Sequence, residues 1–195
     1  MTRIGIIRHG STPWNKEGRA QGSSDIPLDE TGRAEAGKLA DRLSTESWDV
    51  IYSSNLLRAK QTAEIVGEKV GRQIQLDPRL REAGGGQIEG TTEEERVLKW
   101  GKDWRELDLG LEKAESVITR GLSFVEEIVA QHENKKILIV SHGSFIRHLL
   151  LELLPNASTE WHLKNTSLTT LFKTGNGWGC ELYNCTRHLD GEGVR

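Results

Sequence analysis

Apolar positions along the chain fall into short β-branched runs separated by stretches with helical spacing. Ile4, Ile6 and Ile7 form the first run and Gly10 and Pro13 stop it, which predicts a strand covered on both faces. Residues 16 to 30 are polar and rich in turn formers, with Gly18, Gly22 and Pro27, and read as a loop. Over 31 to 45, Ala36, Leu39, Ala40 and Leu43 recur at spacings of three and four, so a helix capped by Thr31 is expected. A second strand is expected from Asp49 to Ser53, then a helix from about Leu57 that buries Ala59, Thr62, Ala63, Val66 and Val70. Gln73 to Leu76 reads as a short strand. The charged stretch from 91 to 113, with Trp100 and Trp104, reads as helical pieces over the sheet's end. Ile118, Leu122, Val125 and Val129 recur at i, i+4, i+7 and i+11, giving a helix over 115 to 132 that feeds a strand at 136 to 141. Residues 144 to 154 form another helix, stopped by Pro155, and 168 to 173 with 179 to 184 form a hairpin turned at 174 to 177. This alternation predicts an α/β three-layer sandwich, a mostly parallel sheet with helices on both faces. The expected organisation is one domain over 1 to 195 with a lid or insertion at about 84 to 113, and frayed residues from 190 on.

Composition narrows the class of function. With 26 Lys and Arg against 29 Asp and Glu, the formal net charge is −3, which offers no basic footprint for nucleic acid. No apolar run approaches the roughly 20 residues of a membrane span, and Met1-Thr2-Arg3-Ile4 opens no signal stretch, so a cytoplasmic protein is expected. The two cysteines, Cys180 and Cys185, lie five residues apart on one strand and so point to opposite faces; they read as reduced and structural. No Cys is followed six residues later by Arg, and no G-x-x-x-x-G-K-[ST] loop occurs, which excludes two other routes to phosphate chemistry. His132, His148 and His162 share no ligand spacing, so no metal is expected.

Two of the apolar runs end alike. The first delivers Arg8-His9-Gly10, and the strand at 136 to 141 delivers His142-Gly143. Open α/β sheets bind ligands beyond the carboxyl ends of their strands, where all these residues would sit. Around them stand Arg8-His9-Gly10-Ser11-Thr12-Pro13-Trp14-Asn15, Gln21-Gly22, Asp25-Ile26-Pro27-Leu28-Asp29, Ser53-Ser54-Asn55-Leu56-Leu57-Arg58-Ala59-Lys60-Gln61-Thr62-Ala63, Leu80-Arg81-Glu82 and Val140-Ser141-His142-Gly143. In this order, and from residue 3 to about 190, they resemble the histidine phosphatase superfamily, which includes the cofactor-dependent phosphoglycerate mutases. The resemblance implies a phosphoglycerate mutase-like fold and a set of roles. His9 would be the nucleophile that forms a phosphohistidine. Arg8 and Arg58 would clamp the phosphoryl oxygens, and His142, protonated or donating a hydrogen bond, would complete the pocket. Glu82 would serve as proton donor and acceptor. Asn15, Gln21, Gly22, Lys60 and the Gly143 amide match positions that touch phosphate or substrate. His188 is expected to be structural, and Glu35 and Glu89 to be ordinary surface carboxylates.

One stretch departs from the family pattern. After the acid many relatives carry a polar residue, an aromatic or aliphatic one, then Gly, and a Trp two residues on; here those positions are Gly84, Gly85, Gly86 and Ile88. Three glycines raise the entropy cost of fixing that loop. Either it is held from outside, or Glu82 is mobile and the pocket open to bulky esters. The compact chain resembles the broad-specificity phosphatase branch, so the expected function is metal-independent hydrolysis of small phosphorylated metabolites without a cofactor. The alternatives are a phosphoglycerate mutase and a weakly active domain that binds a phosphorylated ligand. Relatives are commonly dimeric, which adds a homodimer to the expectations.

Overall fold

Ile4, Ile6 and Ile7 sit in β1 (Arg3–Arg8), near the middle of a six-stranded sheet, and are fully or almost fully buried. The structure, a computed structural model, describes residues 1–155 and 162–190. β1 pairs in parallel with β4 (Lys136–Ser141), which pairs in parallel with β2 (Val50–Ser53). The short β3 (Ile74–Leu76) extends that parallel side at one edge. On the other side β5 (Leu168–Thr174) and β6 (Gly177–Cys185) add antiparallel, giving the order β3-β2-β4-β1-β5-β6. The mostly parallel three-layer arrangement expected from the sequence is the one observed.

Each face of the sheet carries a pair of helices because each strand alternates its apolar side chains. On one face α2 (Glu30–Leu43) and α3 (Leu57–Val70) bring Leu39, Leu43, Ala59, Ala63 and Val66 onto Ile7, Ile51, Leu138 and Val140. On the other, α5 (Ala114–Gln131) and α6 (Gly143–Leu153) bring Phe124, Ile128, Phe145 and Leu149 onto Ile4, Ile6, Ile137 and Ile139. A one-turn α1 (Pro13–Lys16) follows β1, inside the stretch that leads from β1 to α2.

Several local expectations shift. The cap of α2 is Asp29, whose Oδ1 accepts the Gly32 N–H at 2.7 Å; Thr31 lies inside the helix and its hydroxyl accepts from the Lys16 ammonium. Both residue types cap helices, and Asp29 prevails because it also accepts the Ser11 hydroxyl and pairs with Lys16. The buried seam of α5 is Val117, Gly121, Phe124, Val125 and Ile128, so Ile118, Leu122 and Val129 flank it half-buried. Val70 packs at the rim, also half-buried. Residues 84–113 hold α4 (Glu93–Trp100) and a small apolar cluster of their own, Ile88, Trp104 and Leu109. Cys180 and Cys185 are free thiols. The fraying expected of 190 to 195 falls, beyond Asp190, outside the described residues. No described helix is long and apolar enough to cross a membrane.

Candidate active site

The parallel register of β1 and β4 sets Arg8 opposite Ser141, so the next residue of each strand, His9 and His142, emerges at the same end of the sheet. The His9 N–H donates to the Ser141 carbonyl at 3.0 Å, and the two imidazole rings lie 5.2 Å apart between centroids. His9 Nδ1 is 2.7 Å from the Gly10 carbonyl. A carbonyl only accepts, so Nδ1 carries the hydrogen and Nε2 keeps its lone pair. Burial, with the charges of Arg58 and Arg8, holds His9 well below the usual histidine range, so the ring is neutral near pH 7. Gly10 lets the chain pass this close to α2, since a Cβ there would stand 2.6 Å from the Gly32 carbonyl oxygen.

His142 is equally enclosed, and burial with the neighbouring Arg58, His9 and Arg8 pushes it well below the usual range. Of the two states expected, protonated or neutral donor, this environment favours the neutral one. Its Nε2 meets the Ser54 hydroxyl at 2.8 Å, and Nδ1 has no partner. Leu56 N–H donates to the same hydroxyl at 3.2 Å, an arrangement in which Ser54 gives its hydrogen to Nε2 and leaves Nδ1–H as a donor.

The two arginines approach from either side. Arg8 ends β1, and its Nη1 donates to the Leu163 carbonyl. A Cβ on Gly143 would lie 3.3 Å from Arg8 Nε, so the bare glycine leaves the guanidinium room. Arg58, in the first turn of α3, has no exposure at all, although an arginine at a helix start is ordinarily solvated. Its Nη1 and Nη2 donate to the Ser24 and Gly22 carbonyls at 2.7 and 2.8 Å, and burial pulls it down to about 10. Gly22 turns the chain with φ 47°, where a side chain would strike Glu89. Among the described residues, four buried side-chain nitrogens lack a partner, and three belong here: Arg8 Nε, Arg58 Nε and His142 Nδ1. Buried donors are costly to leave unpaired, and the oxygens of an anion are the acceptors that such charged and neutral N–H groups bind most strongly.

Glu82 leaves the short turn Pro78–Leu80 and lies within the electrostatic reach of both arginines. Its Oε1 accepts the Ala83 and Phe145 N–H groups at 2.9 and 2.8 Å, and its Oε2 accepts the Ser144 N–H at 3.1 Å. The carboxyl group therefore rests on the first turn of α6, whose unpaired amides attract it. Nor is the glycine run loose. Gly85 N–H donates to Glu89 and Gly84 N–H to Glu112, at 2.9 and 3.0 Å, while Glu112 N–H donates back to the Gly84 carbonyl and Gln87 N–H to that of Leu109. The first alternative holds: the run is fixed from outside.

The secondary positions divide. Gly22 and Gly143 shape the two arginines as described. The Asn15 amide oxygen accepts from Thr12, the cap of α1, and completes its capping box, and Asn165 Nδ2 reaches both that oxygen and the His9 carbonyl, at 3.4 and 2.9 Å. Gln21 accepts the Thr12 hydroxyl. Lys60 is partly exposed and faces Glu64 at 3.8 Å, with no bond to the central group. Glu89 and Glu35 are not free surface carboxylates. Glu89 accepts from Ser23, Ser24 and Gly85, bridging the Arg58-binding turn to the glycine run. Glu35 accepts the Ser11 N–H at 3.3 Å, and burial raises it. His188 touches Arg42 and Thr166 beneath the pocket and is pushed down to about 4 by burial. Ser54, Asn165 and Arg120 escaped the sequence reading. Ser54 had a signal, since it follows β2 as His9 follows β1; the other two had none. Among the described residues, no group of three or more His, Cys, Asp or Glu could hold a metal ion.

The family model for the histidine phosphatase superfamily (branch 1) matches residues 4–186. The uncharacterized phosphatase PhoE of Bacillus subtilis (strain 168) is 33% identical over 194 residues, 98% of each chain. A probable phosphoglycerate mutase, GpmB of Yersinia enterocolitica, is 31% identical over 97% of this chain and 96% of its own. The solved structure of a phosphoserine phosphatase mutant from Entamoeba histolytica, in complex with phosphoserine, superposes with TM-score 0.81 and 31% identity over 97% of this chain and 100% of that one. The chain belongs to branch 1 of the histidine phosphatase superfamily and is an enzyme of its phosphatase class.

Proposed function

We propose that the protein hydrolyses small phosphate monoesters without a metal, through a phosphohistidine on His9. The observation that carries this reading is the neutral His9, with Nε2 free, beside three buried donors that lack partners. In the first step Nε2 attacks phosphorus, the bond from phosphorus to the ester oxygen breaks, and protonated Glu82 gives its proton to the departing oxygen. The Gly10 carbonyl, already bonded to Nδ1–H, supports the positive charge that the ring gains. In the second step water attacks the phosphohistidine and passes a proton to Glu82. Inorganic phosphate leaves and His9 returns to neutrality. Arg8, Arg58 and His142 hold the equatorial oxygens throughout, where such chemistry is governed by positioning and charge.

Residues 84–113 form the lid in this reading and set which ester is taken. Phosphoserine, bound by the Entamoeba relative, joins 3-phosphoglycerate as a first candidate. The likeness to a probable mutase makes isomerisation the competing activity. The anchored glycine run lends no support to a domain that only binds its ligand. The test is phosphate release in EDTA from a panel of monoesters, by wild type and His9→Ala. Release that persists in EDTA and vanishes in the variant is expected. Isomerisation of 3-phosphoglycerate without net release would overturn the reading in favour of a mutase.

A further inference from the structure

The side chain that holds the acid loop most extensively is Arg120, on α5, remote in sequence from every motif at the pocket. Its Nη1 donates to the Arg79 and Arg81 carbonyls at 2.6 and 2.7 Å, and its Nη2 to the Glu82 carbonyl at 3.2 Å. Its Nε and Nη2 also form a fork on Glu112, both at 3.0 Å. All five N–H donors of the guanidinium are thereby engaged, three of them on the backbone just before and at the proposed proton donor. Glu112 closes the loop from the far side. It accepts from Gly84, donates its own N–H to the Gly84 carbonyl, and is held down to about 2, chiefly by Arg120. The Arg120 guanidinium also lies 5.0 Å from the centre of the Phe145 ring, and Phe145 supplies one of the N–H groups that hold the Glu82 carboxyl.

We propose that the Arg120–Glu112 pair is the positioning device for Glu82. It spans residues 79 to 84 from both ends, so the loop keeps one geometry although three glycines follow the acid. A lysine cannot replace Arg120, because an ammonium has three donors without the planar fork. The pair touches no reacting atom; it acts only through Glu82, and the inference rests on the reading of Glu82 as proton donor.

That dependence gives a test that a merely structural role would not satisfy. An ester with a good leaving group, such as 4-nitrophenyl phosphate, needs little help from an acid, whereas an alkyl phosphate needs a proton delivered in place. The measurement is kcat/KM over aryl and alkyl phosphates of increasing leaving-group basicity, for wild type, Glu82→Gln, Arg120→Lys and Glu112→Gln. Both clamp variants are expected to lose on the order of 10- to 100-fold on alkyl esters and far less on 4-nitrophenyl phosphate. Glu82→Gln should show the same pattern more strongly. Equal losses across all esters in the clamp variants, or none, would overturn the proposal. Glu112→Gln keeps the shape of the side chain and decides the matter if Arg120→Lys unfolds. If Glu82→Gln itself shows no leaving-group dependence while His9→Ala is inactive, the assignment of Glu82 fails and the clamp falls with it; an inactive wild type would instead sink the phosphatase reading as a whole.

Discussion

His9 and His142 are buried imidazoles that the fold keeps neutral, and this has consequences for both rate and stability. Each is held well below its usual value, first by burial and then by the arginines beside it. In the unfolded chain both return to about 6.5 and take up protons below that pH. The unfolded state then binds more protons, so stability is full above about pH 6.5 and is lost as pH falls below it, by up to about 1.4 kcal/mol per unit for each ring. Thermal unfolding followed from pH 7.5 to 5.5 should show the midpoint falling in wild type and falling less steeply in His142→Gln. Parallel curves would refute the assignment. In the proposed mechanism the same depression bears on activity, because His9 would attack only as a neutral base. The acid limb of kcat/KM should lie below pH 6.5, and a limb at or above that value would mean that the free enzyme's nucleophile titrates normally. The identity of both rings was readable at the strand ends, but their charge state was not. It is set first by burial and then by the charges of Arg58 and Arg8, and how deeply a strand-end ring is enclosed is decided only when the chain packs.

At the scale of the element, the run Gly84-Gly85-Gly86 does not act as one flexible piece. Gly86 adopts φ 52°, and a Cβ there would lie 2.2 Å from the Leu109 carbonyl oxygen. A Cβ on Gly84 would meet its nearest neighbour, Glu112 Cβ, at an ordinary 3.5 Å. Gly86→Ala should therefore cost about 2 kcal/mol, a Tm loss of roughly 4–8 °C in a chain of this size, while Gly84→Ala stays near wild type. Calorimetry of the pair checks this, and equal midpoints would show that the loop yields. Position 85 is likewise closed to a larger side chain. A Cβ there would stand 2.7 Å from Glu89 Cγ, so Gly85→Phe must first displace the carboxylate that joins this run to the Arg58-binding turn. Helices were legible in outline but not at their margins. Asp29 and Thr31 are both good caps, and only the Ser11 and Lys16 side chains brought across from the preceding segment select Asp29. On α5, periodicity located the helix; the large ring of Phe124 against Tyr52, 5.3 Å away and edge-on, turns its buried seam.

Across the whole molecule, one sheet supports two apolar layers, and each should unfold with the other. Ile137 on β4 is fully buried in the α5–α6 layer, so Ile137→Ala should cost about 2–5 kcal/mol and lower Tm by at least roughly 4 °C. Leu98 on α4 is 89% exposed, and Leu98→Ala should leave the midpoint unchanged. A single transition by circular dichroism and tryptophan fluorescence is expected in both variants, and a second transition would show that the layers are not one cooperative unit. The alternation of strand and helix, the two apolar faces and the pair of strand-end histidines were all written in the chain order. They follow from periodicities of two and 3.6 residues and from the rule that ligands meet the carboxyl ends of parallel strands. Folding in three dimensions settled the rest: that Arg58 is interior, that His142 is neutral, that Glu82 rests on the amides of α6, and that Arg120 and Glu112 brace its loop. Those outcomes depend on partners as far as 88 residues apart along the chain, as for Ser54 and His142, and no local pattern records which distant groups a folded backbone will bring together.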